Sequence, residues 1–236
     1  MRIFKTNIRI KATSIIAVLL IIATVAVWIW YENSDDTKIS AILGSLFAGL
    51  IVVIIQLFIA WQDYIQTDKL KELELIEVLY SRDNRTFYEE YIRCSKRKIN
   101  LMGVTASRLF NDFADDSPNA TSNAKVLLHA LQKGVKIRIL LPETGYVDES
   151  KKQDIDKVKN QVKALNEKYP NYSLEVKYFK HHAAHSIFNI DDKCIVGPVF
   201  PELESKYTPA LYLRNSSPMA NKYLTYFENE WDKAEQ

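Results

Sequence analysis

The chain is poor in the residues that build many kinds of site. It holds two cysteines in 236 residues, Cys94 and Cys194, with no Cys-x-x-Cys pair and no spaced histidine–cysteine set, which excludes the usual zinc modules. Its six glycines form no phosphate-cradling loop, and there is no P-loop, so no cofactor and no metal are expected. Internal repeats and low-complexity tracts are absent. A charge excess is lacking too: the formal net charge is +2, and setting aside the five basic and three acidic residues up to Lys38 leaves 26 of each sign. A neutral remainder creates no field that would gather nucleic acid over its whole surface. The local basic run Arg93, Lys96, Arg97 and Lys98 falls at a predicted helix end, where cations complement the helix dipole.

Charge is missing altogether from two long apolar runs. Ala12 to Trp30 reads ATSIIAVLLIIATVAVWIW, and Ile39 to Trp61 reads ISAILGSLFAGLIVVIIQLFIAW. A bilayer core about 30 Å thick takes about 20 apolar residues in helix. Two consecutive helices apolar on every side do not fit inside a soluble domain of this size. The sequence therefore predicts a membrane hairpin over 1–64, with spans at about 12–31 and 39–61. Trp28, Trp30 and Tyr31 close the first span, and Trp61 and Tyr64 the second, as interfacial aromatics do. Arg2, Lys5, Arg9 and Lys11 precede the first span, while the bridge carries Glu32, Asp35 and Asp36 against Lys38. The positive-inside rule then puts the N-terminus and everything after Trp61 in the cytoplasm. On that topology Cys94 and Cys194 stay reduced. A cleaved signal peptide is the competing reading of the first run; its core is too long and a second span follows. Ala41, Ser45 and Gly49 form a ridge of small residues, either the seam between the spans or a contact between protomers.

After the hairpin, Tyr64 to about Tyr80 is rich in helix formers and predicts a helix leaving the membrane, part of a helical stalk over 65–97. A second helix follows at Arg85 to Lys96, then an apolar strand at Ile99 to Val104 and a break at Thr105 to Ser107. Asn123 to Lys133 predicts a helix closed by Gly134, and Val135 to Leu141 a buried strand. Asp154 to Tyr169 predicts a charged amphipathic helix, and Leu174 to Phe179 a strand. Two strands flank a turn at Asp191–Asp192, a short strand spans Ala210 to Arg214, and a last amphipathic helix runs from Met219 to Lys233. Helix, glycine and apolar strand in that order mark an α/β layered domain, over 98–236.

Three of the four histidines, His181, His182 and His185, fall within five residues. His185 precedes Asp192 by seven positions, and Gly197–Pro198 follows. This stretch, with the order of LMGVTASRLF, LLHALQKGVKIRILL, LEVKYF and HSIFNIDDKCIVGP, resembles the phospholipase D-like superfamily, whose motif is His-x-Lys-x4-Asp. The resemblance implies an α-β-α layered domain in which His185 holds the nucleophile or acid position and Asp192 the motif aspartate, while Ile187 stands where the lysine belongs. A one-residue shift would give the aspartate role to Asp191 instead. Isoleucine cannot offset phosphate charge, and one lost donor of that kind is worth on the order of 10²–10³ in rate. One motif per chain implies a homo-oligomer for any active site.

These features together predict a membrane-anchored bacterial effector or sensor with a catalytically degenerate domain and output through the hairpin. Its partners would be the lipid bilayer, further copies of the chain and a protein or nucleic-acid regulator. The arrangement resembles small two-span effectors of bacterial antiphage systems, including those encoded with retrons. The alternative is an active homodimeric phosphodiesterase working on phospholipid or nucleic acid through His185.

Overall fold

A computed structural model describes the backbone of residues 2–234 and the side chains of 15–63, 67 and 73–234. The chain divides into two compact units, Met1–Lys69 and Leu70–Gln236. Arg2, Lys5, Arg9, Lys11 and Tyr64, read above as membrane flanks, have side chains outside the described residues.

The first unit is a pair of helices, α1 (Arg2–Glu32) and α2 (Thr37–Glu72). Both are candidate membrane spans: Ile15–Glu32 has a mean hydropathy of 2.3, and Thr37–Asp63 contains an 18-residue stretch with a mean of 2.7. The core helix of a soluble domain would hide such residues, yet Ile16, Leu19, Trp28, Ile42 and Phe58 are all more than half or nearly half exposed, which is the surface a bilayer covers. The shielded positions recur three or four apart, at Ala17, Leu20, Thr24 and Val27 on α1 and at Leu43, Gly44, Phe47 and Leu50 on α2. Gly44 faces the Tyr31 ring, where an added β-carbon would sit in ordinary contact at 3.5 Å. Ala41, Ser45 and Gly49 are exposed instead, so the ridge of small residues is not the seam between the spans.

The second unit is mixed α/β, built on one seven-stranded sheet. Its strands are β1 (Leu75–Leu79), β2 (Lys98–Met102), β3 (Lys136–Pro142), β4 (Leu174–Phe179), β5 (His185–Ile190), β6 (Lys193–Pro198) and β7 (Ala210–Arg214), in spatial order β1-β7-β6-β5-β2-β3-β4. The strands β2, β3 and β4 are parallel, and β5, β6, β7 and β1 continue the sheet antiparallel. Helices α3 (Arg85–Arg93), α4 (Ser107–Phe113), α5 (Val126–Gln132) and α6 (Glu149–Lys168) cover one face, where Ile92, Phe110, Leu127 and Val158 meet Ile99, Ile139 and Phe188. Helix α7 (Pro218–Lys233) covers the other face with Ala220, Phe227 and Trp231 against Met102, Leu140 and Ile187. Strand alternation sends successive side chains to opposite cores.

Two elements differ from the sequence reading. The helix expected to run to Tyr80 ends at Glu72, and Leu75–Leu79 is an edge strand paired with β7. Glu74 makes the break, with a φ of 46°. β1 and α3 thus belong to the second unit, which begins at Leu70. The segment LMGVTASRLF is strand only to Met102; Ala106, at φ 57°, turns the chain into α4.

Candidate functional site

Strand β5 sorts the residues of the histidine motif onto two faces. Ser186 and Phe188 point to the multi-helix side, and His185 and Ile187 to the α7 side. The His185 ring stands edge-on to Tyr223 at 5.4 Å and to Tyr226 at 5.9 Å. Ile187 is fully buried in the α7-side core, a place that would not accept an uncompensated lysine. Asp192 is exposed in the turn at the far end of β5. The strand from His185 to Ile190, five steps or roughly 16 Å at about 3.3 Å each, lies between them, so the two do not meet.

Asp191 takes the anchoring role in that turn. Its carboxylate accepts hydrogen bonds from the backbone amides of Lys96 at 2.7 Å, Arg97 at 2.9 Å and Lys98 at 3.0 Å, and its own φ is 51°. The remaining histidines go separate ways. His181 Nε2 lies 2.9 Å from Glu230 Oε2, His182 packs on Tyr146, and His129 lines a small recess with Arg93 and Lys133. Burial works to raise the Glu230 carboxyl, but the hydrogen bonds from His181 and Lys233 outweigh it and hold that carboxyl below the usual range. Among the described residues no three His, Cys, Asp or Glu side chains form a metal-holding group.

The chain does have a cavity, of about 300 Å³, on the multi-helix side. It opens where β2 ends, β5 begins and β6 hands over to β7, since His185 pairs with Pro198 and Leu79 with Ala210 at that same sheet end. The carboxyl ends of parallel strands are a common place for ligands in α/β sheets. One wall is the loop Gly103–Ala106 with the first turn of α4; another is the segment from Val199 to Thr208; Phe113, Phe188 and Ile195 form an apolar floor. Among the described residues neither a histidine nor a cysteine lines it.

Arg82 closes the inner end. It enters from Ser81–Asn84, the break after β1, where Asn84 also caps α3 through a 3.0 Å bond from Phe87 N–H. The Arg82 guanidinium donates from Nε to Thr208 O at 3.3 Å and from Nη2 to Pro198 O at 3.4 Å and to the Thr208 hydroxyl. Its backbone N–H donates to Lys206 O at 2.8 Å. Arg82 therefore ties both ends of the Val199–Thr208 segment to the end of β1. Arg108 donates from Nη1 to Arg82 O at 3.3 Å and pairs with Asp83 at 3.2 Å. Burial raises the Tyr88 phenol to about 12 even though Arg82 and Arg108 pull it down. The sequence reading missed this corner, because Ser-Arg-Asp-Asn carries only a turn signal.

No family model matches the chain, and no curated protein matches it. Among solved structures it is similar to TrmBL2, an archaeal chromatin protein described with a novel mode of DNA binding, at 17% identity and a TM-score of 0.45, over 80% of this chain and 70% of that one. It has a distant similarity to a phosphatidylserine synthase of Haemophilus influenzae, at 8% identity and a TM-score of 0.43, over 65% of this chain and 38% of that one. Likenesses this distant assign no activity. What stands on the chain's own residues is a mixed α/β unit with a built cavity, joined to two candidate membrane-spanning helices.

Proposed function

We propose that the chain is a membrane-anchored bacterial effector or sensor, working in antiphage defence, with a phospholipase D-like domain that binds rather than cleaves. The domain lies in the cytoplasm, the hairpin sits in the inner membrane, and copies of the chain associate there to act on the bilayer. One observation carries the non-catalytic reading: His185 projects to the α7 side of the sheet, whereas the cavity lies on the other side. With Ile187 buried at the lysine position, the motif assembles neither a nucleophile nor a phosphate-binding cation at the cavity.

Growth after induced expression in a bacterium tests this. The intact chain and His185→Ala should both arrest growth, and a chain starting at Gln62 should not. Rescue by His185→Ala alone overturns the reading in favour of a homodimeric phosphodiesterase acting through His185.

A further inference from the structure

Arg82 is a buried cation without a counter-ion among the described residues. It is 6% exposed, yet its partners are two backbone carbonyls and a hydroxyl, all neutral. Charged side chains are seldom buried to this degree unless paired. Nη1 has no hydrogen bond among the described residues. Burial first, and the neighbouring Arg108 guanidinium with it, lower the Arg82 pKa against the opposing effect of Tyr88. The carboxylate that holds Arg108 is Asp83, whose side chain is 55% exposed, so that pair lies toward solvent and leaves the inner charge uncompensated.

A second unmet group lines the same cavity. Ser107 is 9% exposed and its hydroxyl has no hydrogen-bond partner among the described residues. A buried polar group left unpaired is costly; the Ser107 hydroxyl is such a group, and it and Arg82 both line the cavity with its apolar floor. Of the carboxylates on the wall, Asp154 and Glu204 are exposed at the rim, and Glu204 is held by Lys206 at 2.9 Å. Asp112 is half-buried and disfavours a second negative group on the ligand.

We propose that this cavity binds a small amphiphile with one anionic head, a phosphate or carboxylate that pairs with Arg82 and Arg108 and accepts from Ser107. Its apolar body lies on Phe113, Phe188 and Ile195. A volume of about 300 Å³ is at the small end of ligand pockets and admits a metabolite-sized molecule, not a polymer. The inference rests on the binding, non-cleaving reading of the domain. Arg82 also ties Val199–Thr208 to β1, so an anion drawing on Nη1 bears directly on the strand that follows α2.

The test is calorimetric titration of the full chain in nanodiscs of uncharged phosphatidylcholine, with empty nanodiscs subtracted. The probes are inorganic phosphate, hexyl phosphate, hexanoate, hexanol and dihexanoyl phosphatidate. Hexyl phosphate or hexanoate should bind more tightly than inorganic phosphate or hexanol, and the stronger of the two names the head. Tightest binding by dihexanoyl phosphatidate supports the site and names a lipid as the source. Arg82→Gln and Arg108→Gln should each weaken binding about tenfold to hundredfold, and Ser107→Ala several-fold; Arg108 and Ser107 do not anchor the Val199–Thr208 segment, so their variants test the site if Arg82→Gln fails to fold. Equal binding of hexanol, binding untouched by Arg108→Gln, or no binding by any of the four anions overturns the proposal. Absent anion binding with growth arrest retained in His185→Ala removes the ligand class and leaves the sensor reading. Cleavage of a phosphodiester that depends on His185 removes the sensor reading whatever binds.

Discussion

Two adjacent aspartates in the β5–β6 turn should behave very differently when truncated. Asp191→Ala removes an acceptor from three backbone amides at 2.7–3.0 Å. Hydrogen bonds to an ionised carboxylate are stronger than neutral ones, but this turn is open enough for water to replace part of what is lost. About 2 kcal/mol for the three together is a reasonable figure. Alanine must also hold a φ of 51° without a side chain that bonds locally, which adds roughly 1 kcal/mol. For a unit of about 170 residues, a loss of about 3 kcal/mol lowers Tm by roughly 6–12 °C. Asp192→Ala, at an exposed position, should stay within about 0.5 kcal/mol, or about 2 °C. Asp191→Gly relieves the backbone and not the lost bonds, so it should fall between the two. Thermal unfolding by circular dichroism reads the difference, and hydrogen exchange at Lys96–Lys98 should rise in Asp191→Ala alone. Equal melting of the two alanine variants would refute the anchoring role.

Other perturbations follow from the packing. Arg138 binds Glu228 through both Nη atoms at 2.8 and 2.6 Å, donates from Nε to Asn100 at 3.1 Å and lies about 5 Å from the Phe227 and Trp231 rings, clamping α7 to the sheet. Arg138→Ala should cost about 2–3 kcal/mol, and a double-mutant cycle with Glu228→Gln should show non-additivity of at least about 0.5 kcal/mol; full additivity would contradict the clamp. Gly197→Ala would put a β-carbon 2.6 Å from Pro209 O, forcing β6 from β7 at a loss of about 1–3 kcal/mol in urea unfolding; an unchanged midpoint would refute that contact. Because the Glu230 pKa is depressed on folding, its contribution is full above the ordinary carboxyl range and is lost as pH falls through the lowered value. Glu230→Gln should flatten the decline in Tm between about pH 5 and 3, and an unaltered slope would count against it.

The two long apolar helices were legible because length and missing charge suffice to mark a candidate span. Most strands and helices of the second unit were legible as well, since VKIRILL and LEVKYF carry local apolar patterns and Gly134 closes α5 at φ 84°. Strand β1 was not. It continues a run rich in helix formers, and Ile76, Glu77 and Val78 are exposed; pairing with β7, far along the chain, decides its conformation. Helix α4 escaped notice because its N-cap, Ala106, has no capping side chain. The histidine motif showed the strand but not which face held the cavity, so His185 and Ser186 could not be ranked. Arg82 could not have been found at all: its burial depends on carbonyls from Pro198 and Thr208, more than a hundred residues away.

Strand β1 is made directly after the second candidate span, whereas its partner β7 emerges about 130 residues later. At about 5–20 residues per second, synthesis leaves β1 without that partner for roughly 7–26 s. An unpaired strand with Ile76 and Val78 on its surface is open to pairing with other chains throughout that interval. The sheet can be closed only once Ala210–Arg214 has left the ribosome, so a chain halted before that point would keep an unfinished edge. Synthesis through β7 is thereby a condition for the second unit's final form.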